Sequence, residues 1–286
     1  MPLVSRPLHR MRTNNVSLTK PFLKWPWGKY KLLDRIRNRL EPGKRLIEPF
    51  VGSGAVFLNA SFNKYLLADT NPDLINLYLH VQKNDDAFDK YCKSFFTPEN
   101  NCEENYYQFR NQFNTSADPR FKSALFLYLN RHCYNGLCRY NLKHEFNTPF
   151  GRYKKPYFPK KELDAFHIAA KSAKFIHANF VDTMKQAESG DVVYCDPPYV
   201  PLSKTACFTD YFSGGFAWKE QIELAEWAGK LAKKGIPVII SNHNTDDTRT
   251  LYKKAGATTE NFMVRRNISC NTSKRDKVEE ILAVFQ

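Results

Sequence analysis

The feature that most constrains this sequence is the tetrapeptide Asp196-Pro197-Pro198-Tyr199, placed directly after the apolar run Asp191-Val-Val-Tyr-Cys195. Such a run reads as a buried strand. Open sheets bind their ligands beyond the carboxyl ends of strands of this kind. Two successive prolines stiffen the turn, so the Asp196 carboxylate and the Pro197 carbonyl form a preorganised pair of acceptors. Such a pair can take both hydrogens of an exocyclic amino group. The lone pair of that group is otherwise delocalised into its ring, and the two bonds make the nitrogen more tetrahedral as it attacks. Tyr199 adds an aromatic face on which an extruded base can stack. Asp196, Pro197 and Tyr199 are therefore the catalytic candidates. The plain alternative is a proline-rich turn after a strand.

A second strand signal, Arg45-Leu-Ile-Glu-Pro-Phe50, runs into the turn Val51-Gly52-Ser53-Gly54, which is expected to open a helix. Gly52 and Gly54 let a ligand approach the backbone with no Cβ in the way. The dinucleotide fingerprint fails, because Phe57 stands where it needs Gly or Ala, and Gly28-Lys29 is followed by Tyr30, which rules out a P-loop. The adenosine ligand left for this turn is S-adenosylmethionine, which has no phosphate. Tyr65-Leu-Leu-Ala-Asp69 is the next strand. Its terminal Asp69 can accept bonds from both ribose hydroxyls, although an ordinary tight turn and a surface acid would give the same pattern.

Further strands are expected at Asp191 to Cys195, at Ile236 to Ile240 before Ser241-Asn242-His243, and in a C-terminal hairpin of Asn261 to Ser269 with Val278 to Phe285. Helical spacing marks Gly28 to Leu40, and Ser123 to Arg131 reads as a largely buried helix. The long helical and then loop-like stretch between the strands suggests an inserted subdomain.

The chain of 286 residues carries 43 Lys and Arg against 29 Asp and Glu, a net charge of +14 that favours a polyanionic partner without identifying one. No apolar run reaches membrane-spanning length, and residues 1–20, basic and free of acid, read as a flexible arm rather than a leader. The cysteines (Cys92, Cys102, Cys133, Cys138, Cys195, Cys207 and Cys270) are odd in number and show no CxxC pair, so we expect free thiols and no metal. From Arg131 to Lys161, eight basic residues face one acid, Glu145, with seven aromatics interleaved. That mixture suits phosphate neutralisation with base stacking, unless the rings serve to anchor a loop to the core.

Six segments together resemble the Dam-type DNA adenine-N6 methyltransferases of the alpha-arranged D12 class. They are Phe22-Leu-Lys-Trp25, Glu48-Pro-Phe-Val-Gly-Ser-Gly54, Leu67-Ala-Asp69, Tyr134-Asn-Gly-Leu-Cys-Arg-Tyr-Asn141, Pro149-Phe-Gly-Arg-Tyr-Lys-Lys-Pro156 and Asp196-Pro-Pro-Tyr199. The resemblance implies an α/β fold, a mostly parallel seven-stranded methyltransferase sheet with helices on both faces. It also implies an inserted helical target-recognition domain at residues 72–159, with residues 21–71 and 160–286 forming the catalytic domain.

The cofactor implied is S-adenosylmethionine, contacted by Trp25, Lys29, Gly52, Gly54, Asp69, Phe180 and Asp196. The partner implied is double-stranded DNA carrying GATC. By the same resemblance Tyr134 wedges into the base stack beside Asn135, and Arg139 reads a guanine. Leu137 and Pro149 touch a thymine methyl, Lys24 and Tyr153 read the outer guanine, and Arg152 holds phosphate. We expect a monomeric, cytoplasmic, nucleoid-associated enzyme. The sequence departs from the family at Trp27-Gly28, where two glycines usually precede the lysine. An RNA adenine methyltransferase and a catalytically silent DNA-binding protein stay open as alternatives.

Overall fold

The computed structural model describes residues 18–25, 29–83, 86–200, 216–265 and 277–286. Most of the basic arm, Trp27-Gly28, Cys207, Cys270 and the turn of the C-terminal hairpin lie outside the described residues. The strands are β1 (Arg45–Glu48), β2 (Lys64–Asp69), β3 (Ala173–His177), β4 (Asp191–Cys195), β5 (Val238–His243), β6 (Thr258–Arg265) and β7 (Lys277–Phe285). They form one sheet in the order β3-β2-β1-β4-β5-β7-β6. The first five strands in that order are parallel, and β7 lies antiparallel between β5 and β6. The expected mostly parallel, seven-stranded α/β sheet is thus the observed one, and the C-terminal hairpin closes it.

Alternation along the strands sends side chains to two separate cores, as a pleated strand must. Leu46, Tyr65, Leu67, Val192, Tyr194, Ile239, Leu282 and Val284 pack on one face. Ile47, Leu66, Val193, Cys195, Val238, Ile240, Ile281 and Ala283 pack on the other. A 3₁₀ turn at Lys29–Leu32 leads into α1 (Leu33–Arg39). Between β2 and β3 come α2 (Pro72–Gln82), α3 (Asp86–Ser94), α4 (Glu103–Thr115), α5 (Pro119–His132) and α6 (Lys160–Ala170). After β3 follow α7 (Phe180–Met184), α8 (Trp218–Ala232) and α9 (Asp246–Lys254).

Local sequence explains where the helices begin. Asn71 and Asp118 accept bonds from the first turns of α2 and α5, and each is followed by a proline at the first helical position. Helix α5 is buried from Ser123 to His132, and α2, α3 and α4 pack around it. Helix α2 also rests on β2, β3 and α6. One expectation fails: the glycine turn does not open a regular helix. Gly54 sits at φ +74°, outside helical space, and the segment continues in turns, with bonds from Leu58 to Gly54 and from both Asn59 and Ala60 to Val56. The Asn59 side chain donates to the Ala55 and Thr19 carbonyls, a side-chain bond of the kind that competes with a helical ladder.

The five described cysteines, Cys92, Cys102, Cys133, Cys138 and Cys195, are free thiols. Among the described residues no helix is long and apolar enough to cross a membrane.

A buried histidine–aspartate contact joins α3 to α6. His167 Nε2 lies 3.2 Å from Asp89 Oδ2, and Nδ1 lies 2.7 Å from the Val81 carbonyl. The carbonyl can only accept, so Nδ1 is protonated, and the carboxylate favours a second proton on Nε2. The hydrogen bond with Asp89 raises the His167 pKa, against the burial that lowers it. Lys160 and Asp164 stand at the same cluster, Lys160 Nζ reaching Asp89 Oδ2 at 3.6 Å and pairing with Asp164. A raised native pKa contributes stability below the unfolded value of about 6.5, and that contribution is lost as pH rises through the native value. The melting-temperature gap between the wild type and His167→Gln should therefore be wider at pH 6 than at pH 9. Equal gaps at the two pH values would show that His167 carries no charge there.

Candidate active site

The chain runs outward from β1 through β2 to β3, and on the other side from β4 to β5, so the connections part at the β1–β4 junction. In open α/β sheets the ligand crevice lies at the carboxyl ends of the strands beside such a junction. Glu48 ends β1, Asp69 ends β2, Asp196 follows β4, and Ser241 and Asn242 lie at the end of β5. The sequence candidates for catalysis and for the cofactor gather on this edge.

Asp196 is held through one oxygen. Ser241 Oγ donates to Oδ1 at 3.0 Å, and Lys29 Nζ lies 3.2 Å from the same atom. Tyr194 OH is 3.0 Å from Ser241 Oγ, which fixes that hydroxyl from below. Among the described residues both polar contacts fall on Oδ1, and none falls on Oδ2. Burial raises the Asp196 pKa, while the Lys29 charge and the Ser241 bond oppose the rise.

Lys29, only 5% exposed, also donates to Tyr199 OH and lies 3.4 Å from Glu280 Oε2. Tyr199 OH in turn donates to Glu280 Oε2 at 2.9 Å. The Tyr199 ring meets His243 edge-on at 4.7 Å, and Lys29 Nζ sits 3.9 Å from its centre. The turn beyond is pinned by Gln221 Nε2 donating to the Pro198 carbonyl at 2.9 Å and by the Val200 N–H donating to Asn242 Oδ1 at 3.1 Å. Asn242 is itself bonded to Gln221 and Tyr252 inside the core.

The glycine turn is built to the same closeness. Gly52, at φ +47°, donates its N–H to Asp69 Oδ2 at 3.1 Å, and the Asn71 N–H donates to Oδ1 at 2.9 Å. Tyr78 OH donates to the Gly52 carbonyl at 2.5 Å. A Cβ on Gly52 would come within 3.0 Å of Trp25 Nε1, so the indole lies directly over the turn. Phe180, buried at the start of α7, stacks on Phe50 with ring centres 5.8 Å apart. Phe216 closes the trio against both rings. Glu48 is 2% exposed, and its Oε1 has no hydrogen-bond partner among the described residues. Burial, and then the neighbouring Asp196 charge, push its pKa well up.

Glu48, Phe50, Ser241, Asn242, Gln221 and Glu280 received no role from the sequence. The Ser241-Asn242 pair at the end of an apolar strand was the available signal. Glu280 resembled any charged residue of an edge hairpin.

The predicted recognition residues also come together. The Tyr134 N–H bonds the Pro149 carbonyl at 2.8 Å, and the Asn135 N–H bonds Tyr153 OH at 2.9 Å. Thr148 Oγ1 donates to the Leu137 carbonyl at 2.7 Å. Lys24 is clamped to α5 through Asn130, donates Nζ to the Arg131 carbonyl at 2.9 Å, and lies 3.6 Å from the centre of the Tyr153 ring. Gly136 must be glycine, because a Cβ there would lie 2.3 Å from that of Lys24 and φ is +67°. Arg139 is oriented by Asn147 through Nε and Nη2. Tyr134 is 49% exposed, and Arg152, itself exposed, pairs with Glu103.

The interleaved aromatics need correction as a stacking surface. Phe146 is buried against Phe113, Phe150 packs on Tyr106, Phe158 on Phe96, and Tyr140 OH donates to Asp73. Those rings anchor the loop, which leaves Tyr134 and Tyr157 as its strongly exposed aromatics. Arg131 is likewise buried, under Tyr157.

Residues 25–268 match the family of D12 class N6 adenine-specific DNA methyltransferases. The chain is 52% identical to the DNA adenine methylase of Escherichia coli K12 over 93% of its length and 95% of that protein. It is 51% identical to that of Vibrio cholerae serotype O1 over 93% of its length and 96% of that protein. Among solved structures, the rRNA methyltransferase aviRa from Streptomyces viridochromogenes aligns at a TM-score of 0.39 with 11% identity, covering 91% of this chain and 86% of that one. The chain belongs to the D12 class of N6 adenine-specific DNA methyltransferases, and it is an enzyme that methylates adenine in DNA.

The Lys24 ammonium is half-buried beside Arg131, and burial first, then that charge, lower its pKa to about 8. Its nitrogen signal in labelled protein should titrate near pH 8. A midpoint at the ordinary lysine value of about 10.4 would show that the ammonium is not desolvated in this loop.

Proposed function

We propose that this enzyme transfers a methyl group from S-adenosylmethionine to N6 of the adenine in GATC, after that base has been turned out of duplex DNA. The observation that supports this best is the Asp196 carboxylate, oriented through Oδ1 by Ser241 and Lys29 beside the Tyr199 ring. Oδ2 and the Pro197 carbonyl accept the two amino hydrogens, which returns the nitrogen lone pair from the ring to the attack direction. Tyr199 stacks the extruded base. Asp196 can then receive the proton that the alkylated nitrogen sheds.

The residues at the glycine turn fit the donor. When bound, S-adenosylmethionine supplies a methyl group activated by its sulfonium sulfur. Asp69, with one backbone amide on each oxygen, keeps lone pairs for the ribose hydroxyls. Gly52, Gly54 and Trp25 form the close wall of the turn, and Phe180 with Phe50 an aromatic one. Glu48, buried with an oxygen that has no partner among the described residues, suits the cationic α-amino group, and Lys29 stands toward the amino-acid end in this reading.

Residues 72–159 form the target-recognition segment in this proposal, residues 21–71 and 160–286 the catalytic part, and residues 1–20 a basic arm. Tyr134 enters the stack with Asn135 beside the orphaned base. Arg139 retains donors on its guanidinium after bonding Asn147 and reads a guanine. Lys24 and Tyr153 read the outer guanine, Leu137 and Pro149 a thymine methyl, and Arg152 a phosphate. The enzyme works as a monomer on the nucleoid.

Unmethylated plasmid treated with the enzyme and donor should become resistant to a GATC nuclease that methylation blocks and become sensitive to one that requires it. Asp196→Ala should lower the single-turnover rate by about 10²–10³, and a near-normal rate would remove Asp196 from the chemistry. Arg139→Ala should relax selectivity at one base pair of GATC by about 1–3 kcal/mol. Lys154→Ala should instead weaken all sequences alike, reducing the salt slope by about one unit. An equal loss on every sequence for Arg139→Ala would make Arg139 a phosphate contact.

A further inference from the structure

We infer that Glu280, on the last strand, is a positioning residue for methyl transfer: it sets the Tyr199 ring and withholds part of the Lys29 charge from Asp196. The inference rests on the proposal that Asp196 accepts the amino hydrogens of the target adenine.

Glu280 is displayed toward the site by its register. It pairs with His243 of β5 on one side and with Phe262 of β6 on the other, at the level where β5 gives way to the turn carrying Asn244 and Thr245. Its side chain is 12% exposed. A single oxygen, Oε2, receives the Tyr199 hydroxyl at 2.9 Å and faces Lys29 Nζ at 3.4 Å. Because the tyrosine has one hydroxyl hydrogen and spends it on Glu280, the hydroxyl oxygen turns its lone pairs to Lys29, which donates to it. Ring, ammonium and carboxylate are thus locked in one geometry before a base arrives, and a base stacked on Tyr199 inherits it.

The electrostatic consequence has a definite sign. Lys29 faces two carboxylates, Asp196 Oδ1 at 3.2 Å and Glu280 Oε2 at 3.4 Å. The nearby titratable groups are Tyr194, Tyr199 and Glu48, whose pKa values are all raised by burial first, and His243, whose ring meets Tyr199 edge-on and whose Nδ1 lies 2.7 Å from the Val200 carbonyl. Glu280 adds a negative charge that opposes ionisation of Asp196 and draws on the cation that favours it. The carboxylate left to Asp196 is therefore more basic, and a better acceptor for a weakly acidic amino group, than one paired with Lys29 alone.

Four variants test this in single-turnover methylation of a GATC duplex, with donor affinity measured separately. Glu280→Gln keeps an acceptor for Tyr199 but loses the charge, Glu280→Ala loses both, and Tyr199→Phe loses the hydroxyl. Asp196→Asn tests the underlying proposal. Glu280→Ala should slow methyl transfer by about tenfold or more while donor affinity changes far less. Glu280→Gln should move the acid limb of the rate–pH profile to lower pH, because Asp196 then ionises more easily. That shift is one that a partly unfolded enzyme would not produce. Tyr199→Phe combined with Glu280→Ala should be no slower than the slower single variant. The proposal is overturned if Glu280→Ala transfers methyl at the wild-type rate, if the acid limb of Glu280→Gln stays in place, or if the Tyr199 and Glu280 effects multiply. An active Asp196→Asn would instead overturn the catalytic role of Asp196, whatever the Glu280 variants do.

Discussion

Three segments far apart in the chain meet on the ammonium of Lys29, in a place almost closed to water. Asp196 and Tyr199 reach it from the turn after β4, Glu280 from the last strand, and Lys29 itself from the entry to α1. Glu48 and Asp196 are near enough that each is part of the other's surroundings, and Glu280 adds a further carboxylate. Without a buried cation this edge would hold like charges in a medium that screens them poorly. The Lys29 charge therefore opposes the rise that burial imposes on the Asp196 pKa. Asp196 and Glu280 share its charge, while Glu48, with no cation of its own among the described residues, is driven toward its neutral form.

The sheet explains why these groups collect here and nowhere else in the core. Along each parallel strand the interior residues alternate between two mostly apolar faces. At the carboxyl ends the pattern stops, and the parting of the chain at the β1–β4 junction keeps crossover segments from covering the gap. Polar side chains at those ends must find partners or pay desolvation. Ser241 and Asn242 find theirs in Tyr194, Asp196, Gln221 and Tyr252, and in doing so they fix the Asp196-Pro-Pro-Tyr199 turn from beneath.

What the sequence disclosed was whatever local chemistry determines. The strands show as apolar runs, the starts of α2 and α5 as an Asn or Asp followed by proline, and the Asp196 turn as a contiguous motif. Glu280 and Glu48 stayed silent because their roles come from tertiary partners, and a glutamate beside apolar residues looks the same with or without them. The glycine turn misled in a specific way, since Gly54 at positive φ permits a close approach but cannot start a helix. The aromatics between Arg131 and Lys161 misled in the opposite sense. A loop without regular structure has few backbone bonds to hold its shape, so Phe146, Phe150 and Phe158 are spent on anchoring it, as are the bonds of Tyr140 and Tyr153.

That anchoring ties the loop to the carboxyl edge of the sheet through one short piece of chain. Phe22 is buried among Tyr78 and Phe166, and Lys24 exchanges two bonds with Asn130 of α5. Trp25 lies over Gly52, and Lys29 holds Asp196. The same segment thus touches the loop from Arg131 to Lys161 at Lys24, the glycine turn at Trp25 and Asp196 at Lys29. Gly136 and Gly52 are the two places where its side chains press so closely on another backbone that only glycine fits without displacement. Two contacts without slack, only a few residues apart, leave little freedom for that loop to shift independently of the glycine turn.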